Sequence, residues 1–350
     1  MKKALTYDDI NIVPKYSELE SRSDVDLSTK FTKKIKLSIP VVSTPMDTVT
    51  EYDMAREMMD WGGAGIVHRF MSIEEQAGIM EKLWYIPGTD HIVVKNNLPR
   101  CAAIGVKGDY LERAQELVKN GCNVLLIDVA HGHHKLVGDA IEEIKTKLSG
   151  VEIVAGSVAT GEACEYLCEK GADAIRVGIG NGSLCETRIR TGVGIPQVSA
   201  LIDCVAVADT FDTPIIADGG VRTIGDVCKG LACGADTIML GSLLSGTKET
   251  PGTIEKIGEW PNEMLYKKYR GSASLDSKHD RGDDKNVEGN HKVIPYKGKV
   301  KRILKDIQEG IRSAFSYVGA NDISEFHSKV ELIQVTGAGN IEGKPHLLNS

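Results

Sequence analysis

The chain has 350 residues, of which 41% are hydrophobic, 26% charged and only 5% aromatic, a composition that excludes disordered, collagenous and coiled-coil classes and calls for an aliphatic core. A formal net charge of -7 offers no basic footprint for nucleic acid or an anionic membrane. No apolar run approaches the ~20 residues of a membrane span, and the first nine residues lack the apolar stretch of a secretory signal, so a cytoplasmic protein with neither nucleic-acid nor membrane partners is expected.

In chain order, short runs rich in Val, Ile and Ala occur at 39–43, 64–68, 102–105, 124–128, 152–155, 174–178, 214–218 and 237–241. Most are separated by segments of helical periodicity, such as 110–120, 161–170 and 223–233. That alternation predicts parallel strands with helical crossovers. The runs are continuously apolar rather than alternating, as in strands buried on both faces. Eight strand-helix units within about 250 residues predict an α/β fold of the (β/α)₈ TIM-barrel type. An open doubly wound sheet is disfavoured because the glycine fingerprint after its first strand is missing. An internal echo between 155–173 and 217–236, each a glycine-rich turn followed by Gly-Ala-Asp, reads either as one βαβ unit used twice or as two glycine-rich turns converging through turn chemistry alone. Beyond 241 the chain turns polar, and 248–296 is expected to be a loop or mobile flap. An amphipathic helix follows at 300–315, then a strand-like piece at 331–336 and a glycine-rich tail. The expected organisation is a single barrel domain over 1–350 with no inserted second domain.

Residues just past each apolar run are the site candidates, because a barrel's active site lies where its strands end. They are Thr44 to Asp47, His68 and Arg69, Asp128, Ser157, the loop after Gly178, Asp218-Gly219-Gly220, and Gly241-Ser242. The loop from Gly178 to Arg188 is the richest: three glycines let backbone groups approach an ion or phosphate and put Cys185 on a flexible tip. Cys185 reads either as a nucleophile or as a small buried residue, and the loop favours the former. Thr187 reads either as a proton shuttle or as a helix cap. The turns at 218–220 and 241–242 end the seventh and eighth runs, where barrels bind phosphate through backbone amides; each alone reads equally as a tight turn with no ligand, and the two together beside Ser183 favour phosphate. The eight cysteines show no paired C-x-x-C spacing, and His131-Gly132-His133-His134 has no ligand partner at metal spacing, so neither zinc nor a disulfide framework is expected. Cys164 and Cys168 read as helix packing.

Several ordered motifs carry a family resemblance: Thr44-Pro45-Met46-Asp47-Thr48-Val49-Thr50-Glu51, the Gly178 to Arg188 loop, Thr191-Gly192-Val193-Gly194-Ile195-Pro196-Gln197, Ala217-Asp218-Gly219-Gly220 and Tyr269-Arg270-Gly271-Ser272. Over nearly its whole length the chain resembles the family of inosine 5'-monophosphate dehydrogenase and guanosine 5'-monophosphate reductase. The resemblance implies a (β/α)₈ barrel, a homotetramer, and a thioimidate formed when Cys185 attacks C2 of the purine. It further implies Thr187 and Glu288 as the proton-handling pair and Asp218 on the ribose hydroxyls. Ser183, Gly220, Gly241, Ser242 and Tyr269 would bind the phosphate, and Met46, Gly219, Gly271, Ser272 and Gly289 would complete the substrate site. Asp128, with Val129 and Ala130, would meet the nicotinamide cofactor. Carbonyls of Gly180, Gly182 and Cys185, with Glu342 from a neighbouring subunit, would hold potassium.

The family divides by what happens at C2. The dehydrogenase passes hydride from IMP to NAD and hydrolyses the adduct to XMP, whereas the reductase expels ammonia from GMP and takes hydride from NADPH. Dehydrogenases usually insert regulatory domains between the second and third units, but here about 25 residues separate Gln76 from Cys101. Their flap carries an Arg-Tyr pair that activates water. Here the corresponding segment reads Asp280-Arg281-Gly282-Asp283, with no tyrosine and a short path to Glu288. The expectation is therefore a GMP reductase using NADPH, or NADH, with GMP as substrate. The alternatives are an IMP dehydrogenase acting on IMP with NAD, supported by Thr44-Pro45-Met46, His131-Gly132-His133 and the tail, and a purine-nucleotide binder without turnover. Three residues depart from the family pattern: Asn181 stands at a usual proline, Glu186 at a usual Thr or Ile, and Ser157 at a usual Asn.

Overall fold

The computed structural model describes residues 1–85, 98–258, 262–274 and 289–344. Eight parallel strands follow one another round a closed barrel: Val41–Ser43, Ala64–Val67, Cys101–Ile104, Val124–Asp128, Glu152–Val158, Ala174–Val177, Ile215–Asp218 and Thr237–Leu240. The eighth closes on the first through Ile238–Val41, Met239–Val42 and Leu240–Ser43 pairs. This is the (β/α)₈ barrel read from the sequence.

Side chains alternate across a strand, so each run is divided between two apolar clusters. Val42, Ala64, Ile66, Cys101, Ala103, Val124, Leu126, Val154, Ala174, Ile216 and Met239 fill the barrel interior. Their neighbours, including Leu125, Ile127, Ile153, Ile175, Ile215 and Ile238, pack outward beneath the helices. Phe31, Ile35 and Leu37 join the interior cluster from an antiparallel pair, Thr29–Lys30 with Lys36–Leu37. That pair sits where strands begin, since Thr29 Oγ1 donates to the Asp236 carbonyl and the Lys33 amide to the Asp173 carbonyl. One barrel end is therefore plugged, and the other carries the loops.

Local chemistry sets the helix boundaries. Ser72 and Glu75 form a reciprocal capping box ahead of Ile73–Leu83, and Thr223 and Asp226 do so ahead of Ile224–Ala232. The long amphipathic helix Val300–Val318 ends at Gly319, whose φ of 73° suits a left-handed C-terminal stop. Strand Leu332–Gln334 pairs antiparallel with Ile10–Ile12, bringing the two ends of the chain together. Within 248–296, expected to be a loop or mobile flap, the described residues are more ordered than a plain loop and form a three-stranded antiparallel sheet of Glu255–Ile257, Met264–Arg270 and His291–Pro295. Its strands are short and mostly exposed, so their polarity resembled a loop's. Among the described residues no helix is long and apolar enough to cross a membrane.

Asp236, before the eighth strand, illustrates a cost of this packing. Its carboxylate accepts the Ile215 amide at 2.8 Å, yet burial pushes its pKa up to about 6 from 3.8. A carboxyl with a raised folded pKa binds its proton more tightly in the folded state, so its contribution is greatest below 3.8 and is lost as pH rises to about 6. Asp236→Asn keeps an acceptor for Ile215 and removes the titration. Urea unfolding should show stability falling across that window more steeply in the parent than in the variant. Parallel pH profiles would refute the assignment.

Candidate active site

The same alternation that fills the barrel also builds its mouth. Asp128 extends the inward row of Val124 and Leu126, Arg176 follows Ala174, and Asp218 follows Ile216. Three charged side chains thus meet directly above the apolar interior. Arg176 Nη1 donates to Asp128 Oδ1 at 2.6 Å, and its Nε and Nη2 both reach Asp218 Oδ2 at 2.8 Å. Burial works against the guanidinium's charge, but Asp218 and Asp128 outweigh it and hold its pKa above the usual arginine value. Arg176 is the residue the sequence reading missed. Its signal was a single charge inside the apolar run Ala174-Ile175-Arg176-Val177.

Above this triad opens a cavity of about 530 Å³, within the range of small-molecule sites. It collects Met46, Asp128, Val129, Ala130, Gly180, Gly182, Ser183, Cys185, Thr187, Asp218, Tyr269, Gly271, Ser272 and Gly289 from the expected set. Gly178 begins the cysteine loop at φ 151°, and a Cβ there would lie 1.8 Å from the Asp218 carbonyl oxygen, so only glycine lets the loop cross the seventh strand's end. Cys185 Sγ lies 3.1 Å from Thr187 Oγ1. Thr187 is the first residue of helix Thr187–Thr191, whose N-cap position is Glu186, so its hydroxyl faces the thiol rather than capping the helix. Of the eight cysteines Cys185 alone is not buried.

The loop is held from the side by the far end of 248–296. Cys185 forms a backbone bridge with Gly289, Gly289 bridges Ser274, and the Asn290 amide donates to the Leu184 carbonyl at 3.1 Å. Glu186 reaches Asn290 Nδ2 at 3.4 Å as well as Arg190 Nε at 2.7 Å. Glu288 and the run 276–285 lie outside the described residues.

The expected phosphate residues are only partly convergent. Ser183 Oγ and Tyr269 OH are 3.1 Å apart, burial raising the Tyr269 pKa. Gly241 faces the same hydroxyl, since a Cβ there would come within 3.2 Å of it. Gly220 instead lines a second cavity of about 400 Å³ that shares Gly180, Asn181 and Ser183 with the first, and Gly219 packs on Asn181. Ser242 lines neither of these two cavities; its hydroxyl lies 3.5 Å from the Val221 carbonyl, and its own carbonyl accepts Lys297 Nζ at 2.7 Å. Arg270 ties the sheet to the first strand's loop through Asp47 at 2.8 and 3.0 Å. At the other end, Arg69 Nε stands 4.0 Å from Asp128 Oδ2, with its guanidinium 5.1 Å from the Phe70 ring centre.

For a monovalent cation the relevant donors are the carbonyls of the glycine loop. Gly182's already accepts the Cys185 amide at 3.1 Å and keeps a second lone pair. Neutral carbonyls of this kind fit potassium better than a divalent ion, which prefers carboxylates. Glu342 ends helix Gly337–Glu342, which packs beside the turn Tyr7–Asp9 and contributes nothing to its own chain's cavity. His131 and His133 meet edge to face, and His134 caps helix Lys135–Lys147 by accepting the Leu136 amide.

Residues 4–346 match a family described as IMP dehydrogenase / GMP reductase domain. The chain is 39% identical over 388 residues to an inosine-5'-monophosphate dehydrogenase of Cryptosporidium parvum, covering 98% of this chain and 95% of that one. It is 34% identical over 472 residues to an inosine-5'-monophosphate dehydrogenase of Nitrosopumilus maritimus (strain SCM1), covering 99% and 98%. A solved GMP reductase variant of Trypanosoma brucei, in complex with guanosine 5'-monophosphate, superposes with a TM-score of 0.89 at 29% identity, over 99% of this chain and 98% of that one.

Proposed function

Because the chain belongs to the IMP dehydrogenase / GMP reductase family, oxidoreductases acting on purine nucleotides, we propose that it is a GMP reductase, converting GMP to IMP and ammonia with NADPH. Cys185 thiolate attacks C2 of the guanine ring, the C2–N2 bond breaks, and the amino group leaves as ammonia once protonated. C2 of the resulting thioimidate then accepts hydride, the C–S bond breaks, and IMP and the thiolate are released. Bound reduced nicotinamide supplies that hydride. Thr187, 3.1 Å from the thiol, and Glu288 move the proton to the departing nitrogen. Asp218 holds the substrate ribose, Ser183 and Tyr269 the phosphate, and Asp128 the cofactor ribose, with Val129 and Ala130 against the nicotinamide. Loop carbonyls of Gly180, Gly182 and Cys185 would hold potassium.

The observation that carries this reading is the Cys185–Gly289 bridge. Glu288 precedes Gly289 in sequence, and the whole stretch from Ser274 to Gly289 contains no tyrosine to pair with Arg281 for activating water. The C. parvum and N. maritimus relatives support a second reading, IMP dehydrogenase, with oxidation of IMP by NAD. The proposal also includes a cytoplasmic homotetramer in which Glu342 of one subunit approaches the cation loop of another. It further includes a single catalytic barrel without a regulatory insert, its flap region at 248–296. An alignment of 472 positions against 350 residues supports the latter, since that relative carries internal sequence with no counterpart here.

Absorbance at the reduced-nicotinamide band, in potassium buffer, separates the readings. GMP with NADPH or NADH should lose absorbance and release ammonia. Absorbance gained from IMP and NAD, with XMP formed, would establish the dehydrogenase instead, and silence in both would leave a nucleotide binder. Glu288→Gln should slow GMP reduction about 100-fold while GMP affinity stays nearly constant. An unchanged rate would remove Glu288 from the proton relay.

A further inference from the structure

Asn181 stands in the cysteine loop where the resemblance has proline, and its side chain lies within a directed hydrogen-bond chain. Arg188 Nη2 donates to Asn181 Oδ1 and to the Ile195 carbonyl. Asn181 Nδ2 donates to Gln197 Oε1, and Gln197 Nε2 donates to the Val177 carbonyl at 2.8 Å. The two ends fix the direction, because a guanidinium only donates and a carbonyl only accepts, so neither amide can flip without losing a bond. Arg188 is threaded between two glycines: a Cβ at Gly180 would lie 2.7 Å from its Cγ, and one at Gly194 2.6 Å from its Nε. Gln197 is itself buried, at 2% exposure. The main chain of Asn181 extends the linkage, its carbonyl accepting the Gly220 amide at 2.8 Å.

We propose that the Asn181 side chain is a positioning residue for Cys185, closing the Arg188–Asn181–Gln197–Val177 chain that holds the nucleophile loop between the sixth strand and helix Gln197–Ala208. The inference rests on the reading of Cys185 as nucleophile, four residues further along. A proline would restrict this part of the loop through its fixed φ. Asparagine restricts it through bonds reaching both loop ends, Val177 before it and Ile195 after it. The side chain lines the cavity wall, but its hydrogen bonds go to Arg188 and Gln197 rather than to Cys185 or Thr187, so its removal acts on the placement of Sγ, where about 1 Å of error costs about 100-fold in rate.

Asn181→Asp is the decisive variant. It is nearly isosteric and still accepts from Arg188, but it has no proton for Gln197 Oε1. A directed chain predicts that kcat for GMP falls about 10- to 100-fold with KM changed by less than about threefold. A residue that merely fills space predicts no change. Amide hydrogen exchange of the peptide 178–190 should quicken in Asn181→Asp while the barrel strands keep the parent's protection, which also shows that the variant is folded. Gln197→Leu should produce the same quickening, and the double variant no more than either alone, because all three break one chain. Unchanged exchange in Asn181→Asp, or additive effects in the double variant, would overturn the proposal. The exchange readout requires no turnover, so a parent inactive toward both nucleotides would count against the assigned reaction and leave the loop measurement standing.

Discussion

Cys185→Ala is expected to lower turnover by at least about a thousandfold while leaving GMP affinity within about threefold, since the bond the thiol forms is absent from simple binding. The affinity should persist because the ribose, phosphate and base contacts assigned above belong to other residues. The thiol is also singular in its exposure. Burial pushes Cys122, Cys228 and Cys233 up to about 12, so at neutral pH they present neither access nor thiolate, and Cys101 is driven well up by the same cause. Cys185 is partly exposed, at the cavity wall and 3.1 Å from Thr187 Oγ1. Two measurements check this: calorimetric GMP binding beside steady-state turnover, and intact mass after acid quench, which should show a nucleotide adduct in the parent and none in the variant. Turnover retained in Cys185→Ala would end the covalent mechanism.

Arg176→Met should cost about 3 kcal/mol of folding stability, because it leaves Asp128 and Asp218 facing each other across the barrel mouth with their shared counter-charge gone. The two side chains are 15% and 21% exposed, so solvent relieves only part of that repulsion. Urea unfolding of parent and variant side by side at pH 8 measures the loss. Binding should suffer on both sides at once, since one guanidinium orients both the carboxylate assigned to the substrate ribose and that assigned to the cofactor ribose. Arg176→Lys should fall between, because a single ammonium cannot serve two carboxylates in the fork geometry. A variant as stable as the parent at pH 8, or one that loses affinity for one ligand only, would show that the triad is not a shared support.

Much of this was legible in the chain. Eight continuous apolar runs with helical segments between most of them specify parallel strands buried on both faces, and the residues after each run name the loops around the open end. Cys185 and Thr187 were readable because three glycines flank a cysteine, an expensive arrangement unless the backbone must bend. The sheet within 248–296 was not legible, because its exposed strands lack the apolar alternation that marks a half-buried one. Nor was the clamp at Asn181. Sequence marked that residue as a departure, but its partners Arg188 and Gln197 lie 7 and 16 positions away, and a polar side chain does not announce which donor it will meet.

What the sequence by itself determined was the class of each segment: which stretches are strands, which turns admit close backbone approach, and which thiol sits in a flexible loop. Only closure of the barrel decided that Asp128, Arg176 and Asp218 point the same way. Each strand's period of two sorts its residues into two faces, but which face turns inward, and which charges then meet, follows from eight strands packing around one apolar interior.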